Sequence, residues 1–177
     1  ARRFSSKVRN RTRKALRTGV EVERDDTGRL LPEVHRLYHQ SVPRWAAQDR
    51  LAAPLAGYAR LRARLREPAA KYAAVGAHLG HRCVVWLARV DGRPAATIVV
   101  LYQGATANYW RGAMDKPLAG PVAANDLLHR LAIEEACRRG CRRYSMGETA
   151  PGSSLARFKE SFGAVPIPAV DLALGPP

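Results

Sequence analysis

Lys159 stands between two rings in the run Arg157-Phe158-Lys159-Glu160-Ser161-Phe162-Gly163. Phe158 and Phe162 are four apart, so they share one helical face and predict a buried anchor. Lys159 then projects about 100° from Phe158 toward the helix edge, as an exposed lysine whose removal leaves the fold nearly intact. An ammonium beside a cleft neutralises a phosphate or a developing oxyanion; a plain surface lysine is the alternative. Ser145 and Glu148 lie at the end of Arg142-Arg143-Tyr144-Ser145-Met146-Gly147-Glu148, a strand-like run. Glu148 suits a general base, or turn chemistry ahead of Pro151-Gly152. Asn125 and Asp126 open a helix, where they either cap it or meet a ligand. His129, one turn on, faces either a cleft or solvent. Tyr109 and Arg111 end a strand and alternate onto one face, where Arg111 could meet a carboxylate or phosphate; sheet packing is the alternative for Tyr109. His35 and His39 share a helical face, and His78, His81 and Cys83 cluster in sequence. Neither set completes a ligand shell, so no metal is expected. No Ser or Cys with a paired His and a supporting acid is evident, which argues against a covalent enzyme intermediate.

These residues need elements to position them. Asn125 to Arg139 reads as a helix stopped at Gly140, with a strand at 142–147 and a helix at 153–162. A ligand at the carboxyl end of that strand would meet Ser145, Met146, Glu148 and the amino end of the next helix. Upstream, the run 82–90, the Asp91-Gly92 turn and 94–102 predict a hairpin, and 105–113 adds a third strand. Residues 114–124 read as irregular. Helices are expected at 30–45, disturbed at Pro43, and around Leu55–Leu65. A short strand is expected at 20–24 and a closing one near 170–174. A helix crossover from the meander to a parallel strand gives an α/β fold: a mixed sheet, antiparallel meander plus parallel strand, with helices on both faces.

The totals fit one domain of 177 residues with no apolar run of membrane-spanning length. The opening residue is Ala, and the chain is read as a fragment or one whose start has been removed or is absent. Its net charge is +15, with Arg supplying 25 of 30 basic residues. That field favours polyanions such as nucleic acid, a phosphorylated cofactor or an anionic membrane surface; genomic bias toward Arg and a solvated surface are the alternatives. Residues 1–19 concentrate eight bases and no acid. Lys7, Arg9, Arg11, Arg13 and Lys14 form a stripe able to track a phosphate backbone. Three cysteines without framework spacing are read as buried, reduced thiols, which places the chain in the cytoplasm.

Four stretches carry a family resemblance: Ser5 to Ala15 leading to Gly19-Val20, Val90 to Ala96, Asn125-Asp126-Leu127-Leu128, and Arg157-Phe158-Lys159 with Phe162-Gly163. With the order of elements, they resemble the GNAT superfamily of N-acetyltransferases. The local sequence is similar to its FemAB-like branch, which includes acetyltransferase domain 6. The match is to the second of the two domains those relatives usually contain. The resemblance implies 20–177 as a GNAT-like acyltransferase domain, with 1–19 a basic helix or linker from a missing first domain. It implies transfer of an acyl or aminoacyl group to a primary amine on a small molecule or peptide, by direct attack in a ternary complex. The donor would be aminoacyl-tRNA or acyl-CoA, with no tightly bound cofactor and tRNA or another polyanion as partner. In tRNA-dependent relatives the Lys of the Phe-Lys pair sits at the donor; Lys159 matches it, with Phe158 and Arg157 beside it. Acetyl-CoA enzymes of this fold carry R/Q-x-x-G-x-G/A before the central helix, whereas 113–124 hold only Gly120, followed by Pro121. An acetyl-CoA enzyme with a divergent loop and a non-catalytic RNA-binding module on the same fold remain alternatives.

Overall fold

The structure, a computed structural model, describes residues 3–48 and 56–168. In chain order the elements are α1 (Ser6–Arg17), β1 (Glu21–Asp25), α2 (Leu31–Gln48), α3 (Ala56–Arg66), α4 (Ala69–Leu79), β2 (Cys83–Val90), β3 (Arg93–Gln103), β4 (Thr106–Met114), α5 (Lys116–Ala119), α6 (Ala124–Arg138), β5 (Arg143–Ser145) and α7 (Ser154–Ser161). The strands form one sheet in sequence order, antiparallel from β1 to β4 and parallel between β4 and β5. The β2–β3 turn holds Asp91 and Gly92 at φ 50° and 69°, the left-handed geometry of a tight hairpin. The strand expected at 170–174 lies outside the described residues.

Both sheet faces are buried. Along β2, Val84, Trp86 and Ala88 pack with Leu128, Ala132 and Ala136 of α6. Cys83, Val85 and Leu87 point the other way, onto Leu31, Val34 and Leu37 of α2 and Tyr72 of α4. Period-two alternation with apolar residues at both phases is what a sheet covered on both sides requires. A third cluster joins Phe4 and Val8, at the start of α1, to Met146 and Phe162. Ser5 caps α1 by accepting from the Val8 amide, and its own N–H donates to the Ser161 carbonyl. Thus α1 and α7 close over the carboxyl end of β5.

The sequence left α4 unassigned, because its Ala-rich segment lacks an apolar stripe. α2 runs through Pro43 and ends beyond the expected 45. Within 114–124, Asp115 caps the short helix α5. The thiols differ from expectation: Cys83 is buried, but Cys141 is half-buried and Cys137 exposed, all unpaired. No described helix is long and apolar enough to cross a membrane.

Candidate active site

β4 and β5 pair only at Thr106↔Arg143, Ala107↔Tyr144 and Asn108↔Ser145. Beyond Ser145 the chain leaves the sheet, so a cleft opens between Tyr109 on one side and Met146 on the other. α6 floors it with its first two turns, α7 covers it, and α1 contributes one wall. The resulting cavity is about 520 Å³. Tyr109, Asn125, Asp126, His129, Phe158 and Lys159 all line it, joined by Arg11 from the basic stripe.

Lys159 is 7% exposed, not the exposed residue its helical position predicts. The loop after β5 folds over it, and its Nζ donates to the carbonyls of Gly147 at 2.8 Å and Glu148 at 2.7 Å. Burial lowers its pKa, with the Glu148 charge opposing. An ammonium has three N–H donors; two are engaged, leaving one for the cavity. Phe158, expected to be fully buried, is only partly covered because its ring forms cavity wall.

His129 is buried, packed edge-on or tilted against Tyr109, Phe158 and Phe162 at centroid distances of 4.9, 5.3 and 5.7 Å. Burial, helped by the Lys159 charge, lowers its pKa to about 4, so the ring is neutral at pH 7. Its Nδ1 is buried without a hydrogen-bond partner. Burial likewise raises Tyr109 to about 12. Gly112 makes room for that ring: a Cβ there would lie 2.2 Å from the Tyr109 hydroxyl.

Asn125 and Asp126 do not cap α6. The helix begins at Ala124, so both lie inside its first turn, and the N-cap is Ala123, in the left-handed region at φ 54° with no side-chain cap. The N-cap residue therefore offers no acceptor to the first turn, where the Asp126 carboxylate takes its own backbone N–H, and the amino end of the helix faces the cavity. Asp126 is 5% exposed and pairs with Arg11 at 2.9 Å. Burial pushes its carboxyl up, against the Arg11 charge.

Other nominated residues lie elsewhere. Tyr109 and Arg111 do not share a face, because the β3–β4 register shifts between Val99 and Val100 and Trp110 is the extra residue of a bulge. Tyr109 stays on the α6 side. Arg111 turns to the α2 side, pairs with Glu67 at 2.7 Å and stacks on Trp110 and Tyr38. Glu148 is exposed, its carbonyl accepts from Lys159 and its charge acts on that ammonium, Ser145 Oγ accepts from the Gly147 amide, and Arg157 binds the Gly152 carbonyl. Of the basic stripe, Lys7, Arg13 and Lys14 are exposed, and Arg9 bonds the Phe4 carbonyl. His35 and His39 stack at 4.4 Å, yet no group of three metal-ligating side chains occurs among the described residues. Sequence reasoning missed Trp45, Met114 and Lys116 as cavity lining. Trp45 carried the available signal, as an aromatic just past Pro43.

A family profile described as "Acetyltransferase (GNAT) domain" matches residues 2–160. No curated protein sequence matches significantly. Among solved structures, an aminoglycoside N-acetyltransferase in complex with CoA aligns at TM-score 0.59 and 12% identity, covering 88% of this chain and 94% of that one. A ribosomal-protein-alanine N-acetyltransferase from Brucella melitensis biovar Abortus aligns at TM-score 0.56 and 14% identity, covering 89% and 100%. A GNAT-family protein from Ralstonia eutropha aligns at 0.60 and 17%, covering 88% and 99%. At these identities the structures speak for the fold alone. With the profile spanning nearly the whole chain, the fold and the cleft belong together: the chain is a member of the GNAT acetyltransferase domain family, an acyltransferase.

Proposed function

We propose that the chain transfers an acyl group from a thioester of coenzyme A to a primary amine, in the cavity where β4 and β5 part. One observation carries this reading: that cavity gathers the spare Lys159 N–H, the neutral His129, the Tyr109 ring and the uncapped end of α6. The amine lone pair attacks the acyl carbonyl, the C–N bond forms, the C–S bond breaks, and the proton lost by nitrogen goes to the departing thiolate or to water. The oxyanion that develops is met by the remaining Lys159 N–H. The amino end of α6, with Arg11 beside it, suits donor phosphates. A neutral His129 leaves room for an uncharged, nucleophilic amine beside it. Reduced thiols and a cytoplasmic setting go with this reading.

A second reading keeps the chemistry and changes the carrier to aminoacyl-tRNA, as in the FemAB-like branch. It is favoured by Lys7, Arg13 and Lys14, exposed on the helix whose Arg11 lines the cavity, and by Pro121, which has no N–H for a pyrophosphate. Melting curves with acetyl-CoA, CoA or a charged tRNA 3′-end mimic separate the two. A ligand at 100 times its Kd stabilises by about 2.7 kcal/mol, and the donor that does so should support acylation of a primary amine. For the tRNA reading, binding falls with salt, each phosphate contributing about −0.7 to −0.9 to the log–log slope. Changing Arg9, Arg11 and Arg13 to Ala then flattens that slope. Stabilisation by neither donor refutes both readings.

A further inference from the structure

We infer that the acceptor amine is neutral or anionic around its nucleophile, and not a polycation; this rests on the acyltransferase reading above. The described cavity wall carries three cations, Arg11, Lys116 and Lys159, against one carboxylate, Asp126. Asp126 is already matched by Arg11 at 2.9 Å. Asp115, next to Lys116 in sequence, is not part of the lining, and its Oδ1 accepts from the Leu118 amide in α5. The Glu148 side chain is not part of the lining. The two carbonyls on Lys159 absorb hydrogen bonds but not its charge. Lys116 is exposed and forms no ion pair among the described residues.

The lining an acceptor meets therefore holds two more cations than carboxylates, with the Glu148 charge acting on Lys159 from outside it. Trp45, Met114 and Leu155 supply the apolar part of the wall. An amine with a nearby carboxylate or phosphate finds Lys116, and an aromatic or aliphatic body finds Trp45 and Leu155. A molecule with several ammonium groups finds only repulsion, which the chain's net charge of +15 extends beyond the cavity. Near a protein surface, one uncompensated charge within about 7 Å alters binding by about tenfold or more.

The test uses the donor that stabilises the chain and measures kcat/KM for three amines. They are neamine, phenethylamine, and an acidic dipeptide with a free amino terminus. The dipeptide and phenethylamine should each exceed neamine by about tenfold or more, and added salt should lower the value for the dipeptide. Lys116→Glu, on an exposed side chain and checked by its melting curve, should narrow or reverse the dipeptide-to-neamine ratio by about tenfold or more. Neamine as the best acceptor, or a ratio unmoved by Lys116→Glu, overturns the inference while leaving the acyltransferase reading intact. Failure to acylate any amine with any donor overturns both.

Discussion

Acidification tests the burial of His129. Its ring is 2% exposed, and burial together with the Lys159 charge sets its pKa at about 4. In the unfolded chain it returns to about 6.5. The unfolded state then binds a proton that the folded state refuses, so stability falls as pH drops below about 6.5 and levels off near 4. At about 1.4 kcal/mol per pH unit the full loss is about 3 kcal/mol. About 1 kcal/mol of it is lost between pH 7 and 5.5. Other groups frame the window. His35 is lowered by burial and by His39, and adds a loss of the same sign. Burial raises Asp126, which opposes the loss. Glu67, despite burial, is held low by Lys71 and Arg111, and Glu135, despite burial, by Arg24 and Arg139, so both add losses only at more acid pH. The assay is therefore a pair of urea titrations at pH 7.5, 6.5 and 5.5, on the parent and on His129→Leu. The parent should lose about 1 kcal/mol more than the variant across this range. Parallel pH dependences would refute the buried neutral imidazole.

Lys159→Ala should lower the unfolding free energy by about 1–3 kcal/mol, since two hydrogen bonds from a charged donor are lost while the freed carbonyls can reach water. Its amine acylation should fall by roughly 10²-fold, read by turnover at a temperature where the variant is folded. Gly112→Ala should cost about 1–3 kcal/mol in denaturant melts, because its Cβ would displace the Tyr109 hydroxyl. Glu135 is buried between Arg24 and Arg139, whose side chains are 33% and 30% exposed. Glu135→Gln should cost about 2–3 kcal/mol, less than a fully buried pair, and a variant as stable as the parent would contradict that network.

Much of this could be read from residue order. The Asp91-Gly92 turn, the apolar doublets of β2 and β3, and the helix–strand–helix run from α6 to α7 are local signals, and each formed where expected. The failures share a cause, which is that distant chain decided the outcome. Helical geometry put Lys159 at an edge, but the loop at 147–148 folds across that edge and caps its ammonium. Strand alternation put Arg111 beside Tyr109, but a bulge at Trp110 reversed its side, and Glu67 holds it there. Asn125 and Asp126 had the right side chains to cap α6, yet Ala123 takes the N-cap position in left-handed geometry and both residues fall inside the first turn. Arg11 looked like one of many surface bases; only the packing of α1 on α6 brings it to Asp126. α4 was invisible to an apolar-stripe search, although its run of alanines favours helix.

The central claim is that the donor occupies the space where β4 and β5 separate. Amide hydrogen exchange, with and without a saturating amount of the donor that stabilises the chain, addresses it directly. Slowed exchange should concentrate at 144–149, in the first turn of α6 and at the start of α7. Protection confined to α4 and the first half of α2, packed on the opposite face of the sheet from α6, would contradict the assignment of this cleft.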